Sequence, residues 1–277
     1  MKINKDSLSM RAKNIANMKD VNVNIVYSRY FFDCFLKRLS ISCYADKFVL
    51  KGGLFLSSVL GIDKRFTIDI DFILRKIRME HETIIAIMKE ICQIDADDNV
   101  TFQYIGDSEI KKDDVYGGFS INIEGKLDNV RQRFDIDLAT ADIVYPNDCD
   151  YEYQCLVTGE KIHLKSYSIE SVIAEKMHTF LLKGVINSRA KDLYDLYILE
   201  KIVGKNKDNL KKAFMITCQN RKYETDKETA IKTLKSVSSN ISQRNRWNLY
   251  TRKISYAKGI SFDDVIASIN RLIELLF

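Results

Sequence analysis

Alternation of apolar and polar residues marks the strands of this chain. In the stretch 66–72, Thr67, Asp69 and Asp71 alternate with four apolar residues, Phe66, Ile68, Ile70 and Phe72. Because successive side chains of a strand point to opposite faces, this stretch predicts a strand with one apolar face and one face that carries two carboxylates. The same alternation predicts three further strands, at 118–124, at 133–138 and near 161–165.

Apolar residues at intervals of three or four predict helices over most of the remaining chain. Between about 7 and 45, Phe31, Phe35 and Leu39 form one apolar stripe, which we expect to pack on the sheet. Further helices are predicted at 82–94, at 169–182, from a cap at Asn187 or Ser188 to about Ile202, and through the tail to 265–277. Strands followed by helices predict an α+β chain with a mixed domain, 1–160, and a mainly helical domain, 161–277.

The composition excludes several classes of protein. Hydrophobic residues make up 46% of the 277 residues, which is enough for a packed core in one large or two ordinary domains. No apolar run is long enough to span a membrane, and the polar start of the chain lacks a signal-peptide pattern. The six cysteines are scattered, which predicts reduced thiols in the cytoplasm and neither a disulfide framework nor a zinc site. The three histidines are also dispersed, which argues against a histidine metal site.

Charge is distributed unevenly along the chain. Residues 201–277 contain 16 Lys and Arg against 7 Asp and Glu, a net charge of +9, while residues 1–200 carry −4. In this tail, four cations flank two aromatic residues, namely Arg244, Arg246, Arg252 and Lys253 around Trp247 and Tyr250. Cations interleaved with aromatic side chains suit RNA. In the alternative interpretation, the aromatic residues belong to the core and the cations are merely solvated.

Two neighbouring motifs predict a site for a metal and a nucleotide. Asp69 and Asp71 repel each other unless a cation lies between them, and oxygen ligands of this kind suit Mg²⁺. The apolar run 48–50 predicts a short strand that leads into Gly52-Gly53 and a helix-like stretch, whose free backbone N–H groups can meet a phosphate. Two spaced aspartates alone are more typical of a solvated surface, whereas their combination with a glycine turn favours a site for an NTP and its metal.

A third carboxylate is predicted on the strand 133–138. Asp135 and Asp137 share the polar face of that strand, which we expect to lie beside the strand that carries Asp69 and Asp71. Either residue could bind the metal and help to deprotonate an attacking hydroxyl. A solvated strand residue is the alternative for Asp135.

The helical part contributes charged residues with two interpretations each. Lys176 lies at the edge of an apolar helix stripe, from which it could reach a triphosphate or simply extend to water. Asp192 and Asp195 share a helix face, and Asp195 could form an ordinary ion pair with Lys191. Local physics alone leaves these alternatives open.

Four motifs follow one another in a recognisable order. They are Leu50-Lys51-Gly52-Gly53-Leu54, Arg65-Phe66-Thr67-Ile68-Asp69-Ile70-Asp71-Phe72, Ala174-Glu175-Lys176-Met177 and Ser188-Arg189-Ala190-Lys191-Asp192-Leu193-Tyr194-Asp195. Together they resemble the AbiEii/AbiGii family, nucleotidyltransferase-like toxins of bacterial type IV toxin–antitoxin systems that act in abortive infection, a phage defence. The resemblance runs from about residue 7 to 200 and adds little in the tail. It implies a DNA-polymerase-β-type nucleotidyltransferase domain with a mixed sheet, followed by a helical C-terminal domain.

The resemblance also implies roles for the site residues. Gly52 and Gly53 match the phosphate-binding turn, and Asp69 and Asp71 match the metal ligands. The later acid of the family matches Asp137 better than Asp135, because its spacing to Asp142 and Pro146 fits the family's pattern. The remaining matches are a lysine near the triphosphate, Lys176, the acid of the final motif, Asp192, and three residues expected to contact the nucleotide, Lys51, Arg65 and Thr67. The wider superfamily has Gly-Ser in place of Gly52-Gly53, so one hydroxyl contact to the triphosphate is missing here.

The sequence therefore predicts a cytoplasmic, Mg²⁺-dependent nucleotidyltransferase toxin. Asp69, Asp71, Asp137, Lys176 and Asp192 would carry catalysis with an NTP, either GTP or a pyrimidine NTP. Related toxins transfer nucleotides to tRNA, so the expected partners are an RNA acceptor such as tRNA and a separately encoded antitoxin. The alternatives are an NTP-binding module without transferase activity and a metal-dependent sugar-phosphate transferase.

Overall fold

Backbone hydrogen bonds join seven strands of the described residues into one mixed sheet. The computed structural model describes residues 2–110, 117–140, 144–145, 149–203 and 207–277. The chain divides into two compact units, the first formed by 1–141 with 149–166 and the second by 142–148 with 167–277. Asp142 and Pro146, which entered the choice of Asp137 from the sequence, lie outside the described residues.

The sheet belongs to the first unit. Its strands are β1 (Phe48–Lys51), β2 (Asp69–Leu74), β3 (Thr101–Ile110), β4 (Gly118–Leu127), β5 (Val130–Ala139), β6 (Cys149–Gln154) and β7 (Lys161–Ser166). They lie in the order β3-β4-β5-β2-β1-β7-β6. β2 is parallel to β5 and β1 is parallel to β7, whereas the other neighbours are antiparallel. This confirms the mixed sheet and the predicted strands, to which the structure adds β3 and β6.

A two-residue turn fixes the register of the β4–β5 hairpin. Leu127 pairs with Val130, and Asp128 between them has a left-handed backbone with a φ of 53°. Asp and Asn tolerate this conformation better than other non-glycine residues. β7, which the predicted boundary at residue 160 assigns to the helical domain, lies in the first unit.

Four helices accompany the sheet in the first unit, α1 (Lys5–Lys19), α2 (Val23–Ser40), α3 (Gly52–Leu60) and α4 (His81–Gln93). Most of the stretch between about 7 and 45 is helical, as predicted, but a break divides it into two helices. Asp20 ends α1 in a left-handed conformation, and the side chain of Asn22 caps α2 by accepting the N–H of Asn24 at 2.8 Å. The short polar residues Asp20 and Asn22 therefore separate two helices.

The apolar stripe of α2 packs on the sheet, as predicted. Phe31, Phe35 and Leu39 are fully buried, and the ring of Phe35 makes edge-on contacts with Phe102 of β3 and Phe134 of β5. Such contacts between buried rings add to the stabilisation that burial itself provides. The helix thus covers one face of the sheet and leaves its acidic residues to the other.

The second unit is helical in its described part, with α5 (Ile169–Lys183), α6 (Ala190–Glu200), α7 (Lys207–Asn220), α8 (Lys227–Ser238), α9 (Ile241–Lys253) and α10 (Phe262–Leu276). The predicted cap of α6 at Asn187 or Ser188 is wrong, since the helix begins after Arg189. Asn187 instead accepts the N–H of Arg189 at 3.0 Å, which turns the chain into the helix. None of the helices in the described residues is long and apolar enough to cross a membrane.

Trp247 belongs to the core of the second unit. It is fully buried, and its indole N–H donates to the carbonyl of Ile260 at 3.0 Å. Arg244 forms a two-pronged ion pair with Asp263, with distances of 2.8 and 3.1 Å. Trp247 is therefore not exposed for stacking on a nucleic acid, and the core interpretation holds for this residue.

We predict that Gly125→Ala destabilises the protein, because the new methyl group has no room. A Cβ at Gly125 would lie 2.5 Å from Phe31 and 2.8 Å from Phe102, both buried rings. Overpacking of this kind costs ~1–3 kcal/mol of the free energy of unfolding. Urea unfolding measures the change, with Gly106→Ala as the control, since a Cβ there meets nothing within 4 Å. Equal effects of the two substitutions would contradict this packing.

Candidate active site

Strand pairing brings the predicted carboxylates together on one face of the sheet. β2 and β5 run parallel with Asp69 beside Asp135 and Asp71 beside Asp137. Residues that pair directly across two neighbouring strands have their side chains on the same face of the sheet. The apolar residues between them, such as Ile70, point to the other side and are fully buried.

The strand that carries the acids is shorter than predicted. β2 begins at Asp69, and Ile68 before it lies in a bend with 76% of its surface exposed. The expectation that Ile68 shares the apolar face of the strand is therefore wrong. The alternation holds from Asp69 onward, where Ile70 and Phe72 are fully buried.

A glycine turn meets Asp71 directly. β1 runs antiparallel to β2 with Lys51 level with Asp71, and α3 begins at the next residue, Gly52. Gly52 has a φ of 65°, and a Cβ there would lie 1.9 Å from Asp71 Oδ2. The N–H of Gly53 donates to that same oxygen at 3.3 Å. Position 52 requires glycine because of its positive φ and because Asp71 leaves no room for a side chain. The start of α3 and Asp71 therefore lie in direct contact.

Arg65 and Thr67 lie beside this turn. Arg65 is buried, and its Nη2 lies 3.5 Å from the place that a Cβ of Gly53 would take. The Thr67 side chain lies nearer still to that place, and its hydroxyl donates to Asp69 Oδ1. The structure therefore brings Lys51, Arg65 and Thr67 to the two glycines, as the family motifs imply.

Neighbouring side chains orient the acids of β5. Ser120 of β4 lies level with Asp137 and donates its hydroxyl to Asp137 Oδ1 at 2.6 Å. Asn122, two residues on, donates to Asp135 Oδ1 at 2.8 Å. Asp135 is exposed, whereas Asp137 is half-buried. Ser120 thus holds the more enclosed of the two acids.

Negative charge is concentrated around Asp71. Burial raises the pKa of Asp71 above its ordinary value of 3.8, and the charge of Asp69 raises this pKa further. Lys51 lowers it, Asp137 raises it, and the N–H of Gly53 lowers it. The pKa of Asp71 is thus raised overall, chiefly by burial and further by the two neighbouring acids, which is typical of sites that act on charged ligands.

The donor set of Asp69, Asp71 and Asp137 suits a hard divalent cation, because it consists of carboxylate oxygens alone. Among the described residues, no group of three His, Cys, Asp or Glu side chains is already arranged around a point where a metal ion would lie. Thr67 donates a hydrogen bond to Asp69, and Ser120 donates one to Asp137. The chemistry of a metal site is present in the residues.

Lys176 forms the centre of a buried ion-pair cluster within the second unit. Its Nζ lies 2.7 Å from Asp192 Oδ1 and 2.9 Å from Asp195 Oδ2, and Asp195 is fully buried. Burial alone would lower the pKa of Lys176, but the charges of Asp195 and Asp192 outweigh it and raise that pKa. Both alternatives drawn from the sequence, extension of Lys176 to water and a Lys191–Asp195 ion pair, are therefore wrong.

Sequence reasoning missed two of these residues as partners. Ser120 could have been found from the hairpin, because a turn at 128–129 places it level with Asp137. Asp195 was seen to share a face with Asp192, but its partner on another helix has no signal in local spacing. The first signal is a register, which sequence can give, and the second is a tertiary contact.

Comparison of the chain with models of known protein families gives a match. A family model described as nucleotidyl transferase AbiEii toxin, type IV toxin–antitoxin system, matches residues 34–268. The chain belongs to the AbiEii toxin family. This confirms the resemblance seen in the motifs and the enzyme class, a nucleotidyltransferase. Membership of a type IV system also implies a nucleotide substrate and a separate antitoxin for an AbiEii protein.

Two crystal structures from Helicobacter pylori are similar to this AbiEii protein. A candidate nucleotidyltransferase has a TM-score of 0.54 at 13% identity, covering 92% of this chain and 96% of that chain. The protein JHP933 has a TM-score of 0.52 at 14% identity, covering 92% of each chain. At such identities the likeness concerns the fold alone. A search of the curated proteins finds no match.

We predict that Asp71→Asn raises the free energy of unfolding at neutral pH, because it removes one buried negative charge from the three acids. The pKa of Asp71 is raised, so its stabilising contribution is present below its unfolded pKa and is lost as the pH rises through its folded pKa. The gain of the variant should therefore shrink as the pH falls. Urea unfolding over an acid-to-neutral series checks this, with exposed Asp135→Asn as the control. A variant less stable than wild type at neutral pH would argue against the repulsion.

We predict that Lys176→Ala lowers the free energy of unfolding by ~3–5 kcal/mol, because it leaves Asp192 and the buried Asp195 without their cation. Lys191→Ala, on the exposed side of α6, should change it by less than about 0.5 kcal/mol. Urea unfolding of both variants makes the comparison. Equal stabilities would mean that the cluster does not hold the two helices.

Proposed function

We propose that this AbiEii protein is a Mg²⁺-dependent nucleotidyltransferase that adds a nucleotide from an NTP to an RNA, with tRNA as the acceptor. One observation carries the proposal, the register that places Asp71 of β2 beside Asp137 of β5 and against the N–H of Gly53. This register brings the acids next to the glycine turn. The domain that results is of the DNA-polymerase-β type, with the acids on adjacent strands and the turn at the start of α3.

The triphosphate would lie at the glycine turn. The first N–H groups of a helix have no partner within the helix, so the start of α3 at Gly52 and Gly53 can bind an anion. Lys51 and the buried guanidinium of Arg65 supply positive charge beside it. GTP and the pyrimidine NTPs are the candidate substrates.

Asp69, Asp71 and Asp137 would hold the Mg²⁺. When bound, the cation supplies charge neutralisation for the phosphates and makes an attacking hydroxyl more acidic. Ser120 fixes the orientation of Asp137, and Thr67 that of Asp69, so the protein presents both acids in defined positions. Asp137 would then accept the proton of the RNA hydroxyl.

The family motifs imply a part in the reaction for Lys176 and Asp192, both of which lie in the second unit. The ion pairs with Asp192 and Asp195 restrict the ammonium group of Lys176 to one position and keep it charged. A positioned charge stabilises a developing negative charge without reorganisation at the moment of reaction. Asp195 acts on Lys176 and is a positioning residue.

The net charge of +9 in residues 201–277 supports an RNA partner, because phosphates attract such a surface over several ångströms. Because Trp247 is buried, this region would bind RNA through its positive charge rather than by stacking of Trp247 on the bases. A cytoplasmic site of action and a separately encoded antitoxin complete the proposal.

We predict that the protein transfers label from an NTP to tRNA and that Asp71→Asn lowers the rate by at least about a hundredfold. The assay incubates the protein and Mg²⁺ with total RNA and each α-labelled NTP in turn, and locates the label by gel. Asp135 lies on the same face of the sheet, so Asp135→Asn is the matched control, and this variant should keep the transferase activity.

Three results would contradict the proposal. NTP binding without label in any RNA would indicate a binding module, and transfer from a nucleotide sugar in preference to the NTPs would indicate a sugar-phosphate transferase. Full activity of Asp71→Asn in excess Mg²⁺ would remove the acid from the reaction.

A further inference from the structure

One face of β5 carries cations at one end and acids at the other. Arg131, Arg133, Asp135 and Asp137 are spaced by two residues, so their side chains lie on the same face of the sheet. The apolar residues next to the acids, such as Phe134, are buried on the other face. The pairing of β2 with β5 begins at Asp135, so both arginines lie beyond the start of β2.

Two residues of β4 complete the basic end of this face. Lys126 is exposed and level with Arg131, and Glu124 is level with Arg133. Both arginines reach the carboxylate of Glu124, Arg133 at 2.8 Å and Arg131 at 3.8 Å. The arginine side chains nevertheless stay 64% and 62% exposed, whereas that of Glu124 is 13% exposed. Three cations, which we call the basic strand face, thus share one partly buried acid and remain accessible to an anion.

The spacing of these residues matches a nucleic-acid backbone. Side chains two residues apart on a strand are ~6.6 Å apart, which is close to the distance between successive phosphates of an extended single strand. Arg133 and Arg131 lie ~13 and ~20 Å along the strand from Asp137. These distances correspond to the second and third phosphates before a terminal hydroxyl at Asp137. The first step falls at Asp135, an acid, so the RNA would be held at the arginines and not there.

We propose that the basic strand face binds the phosphates of a single-stranded end of the acceptor RNA and leads its terminal hydroxyl to Asp137. The inference rests on the proposed function, because it concerns the acceptor of the same reaction. It places RNA contacts in the first unit, in addition to the charge of residues 201–277. The ligand is a single strand of at least four nucleotides, bound through its backbone and therefore without regard to base sequence.

A purely structural role is the alternative, in which the arginines only join β5 to β4 through Glu124. Exposed ion pairs across two strands contribute little to stability, but they do contribute. The two roles differ in what Glu124→Gln does to RNA affinity. In the structural role the variant gains nothing, whereas on an RNA path it frees two guanidinium groups for phosphates and removes a repelling charge.

We predict the following for variants of the full chain, measured as the Kd for a fluorescent single-stranded RNA octamer across a salt series. Arg131→Gln with Arg133→Gln should weaken binding about tenfold and flatten the slope of log Kd against log salt by about 1.4, because two phosphate contacts are lost. Glu124→Gln should strengthen binding about threefold. The matched control is Arg78→Gln with Lys161→Gln, two exposed cations of the same unit that also pair with a glutamate, and it should keep both values.

A length series separates a path along β5 from general attraction by charge. A dinucleotide has one phosphate between its nucleotides and ends before Arg133, whereas a tetranucleotide has three and reaches Arg131. Wild type should therefore transfer a nucleotide to the tetranucleotide with a KM for RNA about tenfold lower than to the dinucleotide. The arginine double variant should lose this difference, while its KM for the NTP and its urea midpoint stay close to those of wild type.

The outcomes separate this inference from the function on which it rests. If wild type transfers label and the glutamine double variant keeps its RNA affinity, salt slope and length dependence, the basic strand face does not bind the acceptor and the proposed function stands. If Arg131→Lys with Arg133→Lys, which keeps both charges, is as impaired as the glutamine variant, the contacts with Glu124 matter rather than the charge, and the inference is overturned. If wild type transfers no nucleotide to any RNA, the proposed function fails and the inference fails with it.

Discussion

The parallel pairing of β2 with β5 is the constraint on which the site depends. Asp69 and Asp71 are local to one strand, but Asp137 reaches them only because two strands far apart in sequence lie side by side in one register. A slip of one residue would turn every side chain of the strand to the other face. The burial of Ile136 and Leu138 on the opposite face prevents such a slip, so the apolar core under the sheet fixes the acids above it.

The two charge clusters of the protein differ in how they are balanced. In the second unit, Lys176 lies between two carboxylates, and each contact is a hydrogen-bonded ion pair of less than 3 Å. In the first unit, Asp71 has acids on its own strand and on the next, and burial and Asp69 keep its pKa raised. A balanced cluster needs no ligand, whereas an unbalanced one gains most from a cation. That difference is why we place the metal at β2 and β5.

Sequence reasoning reached the site because its signals are periodic. Alternation placed Asp69, Asp71, Asp135 and Asp137 on polar strand faces, and the glycines marked the start of α3. What it missed depends on tertiary packing. The bend at Ile68 delays the start of β2 to Asp69, three residues later than the pattern predicts. The partner of Asp195 lies on a different helix.

The strands β3 and β6 show a different limit. Both lie at the edges of the sheet, where one side of a strand has no neighbouring strand. Half of β3 is exposed, and its residues therefore lack the apolar alternation that marks β2 and β5. Edge strands obtain their structure from the partner strand, here β4 and β7, and that information is not local to their own sequence.

The order of the strands also sets when the site can exist during synthesis. The ribosome makes β2 first, then α4, β3 and β4, and only then β5 with the third acid. Contacts between such distant segments form late, because a long loop has to close before they add stability. A nascent or truncated chain that ends before β5 carries two aspartates and the glycine turn but not the complete set. On the proposed function, a chain that ends before β5 should therefore be unable to transfer a nucleotide.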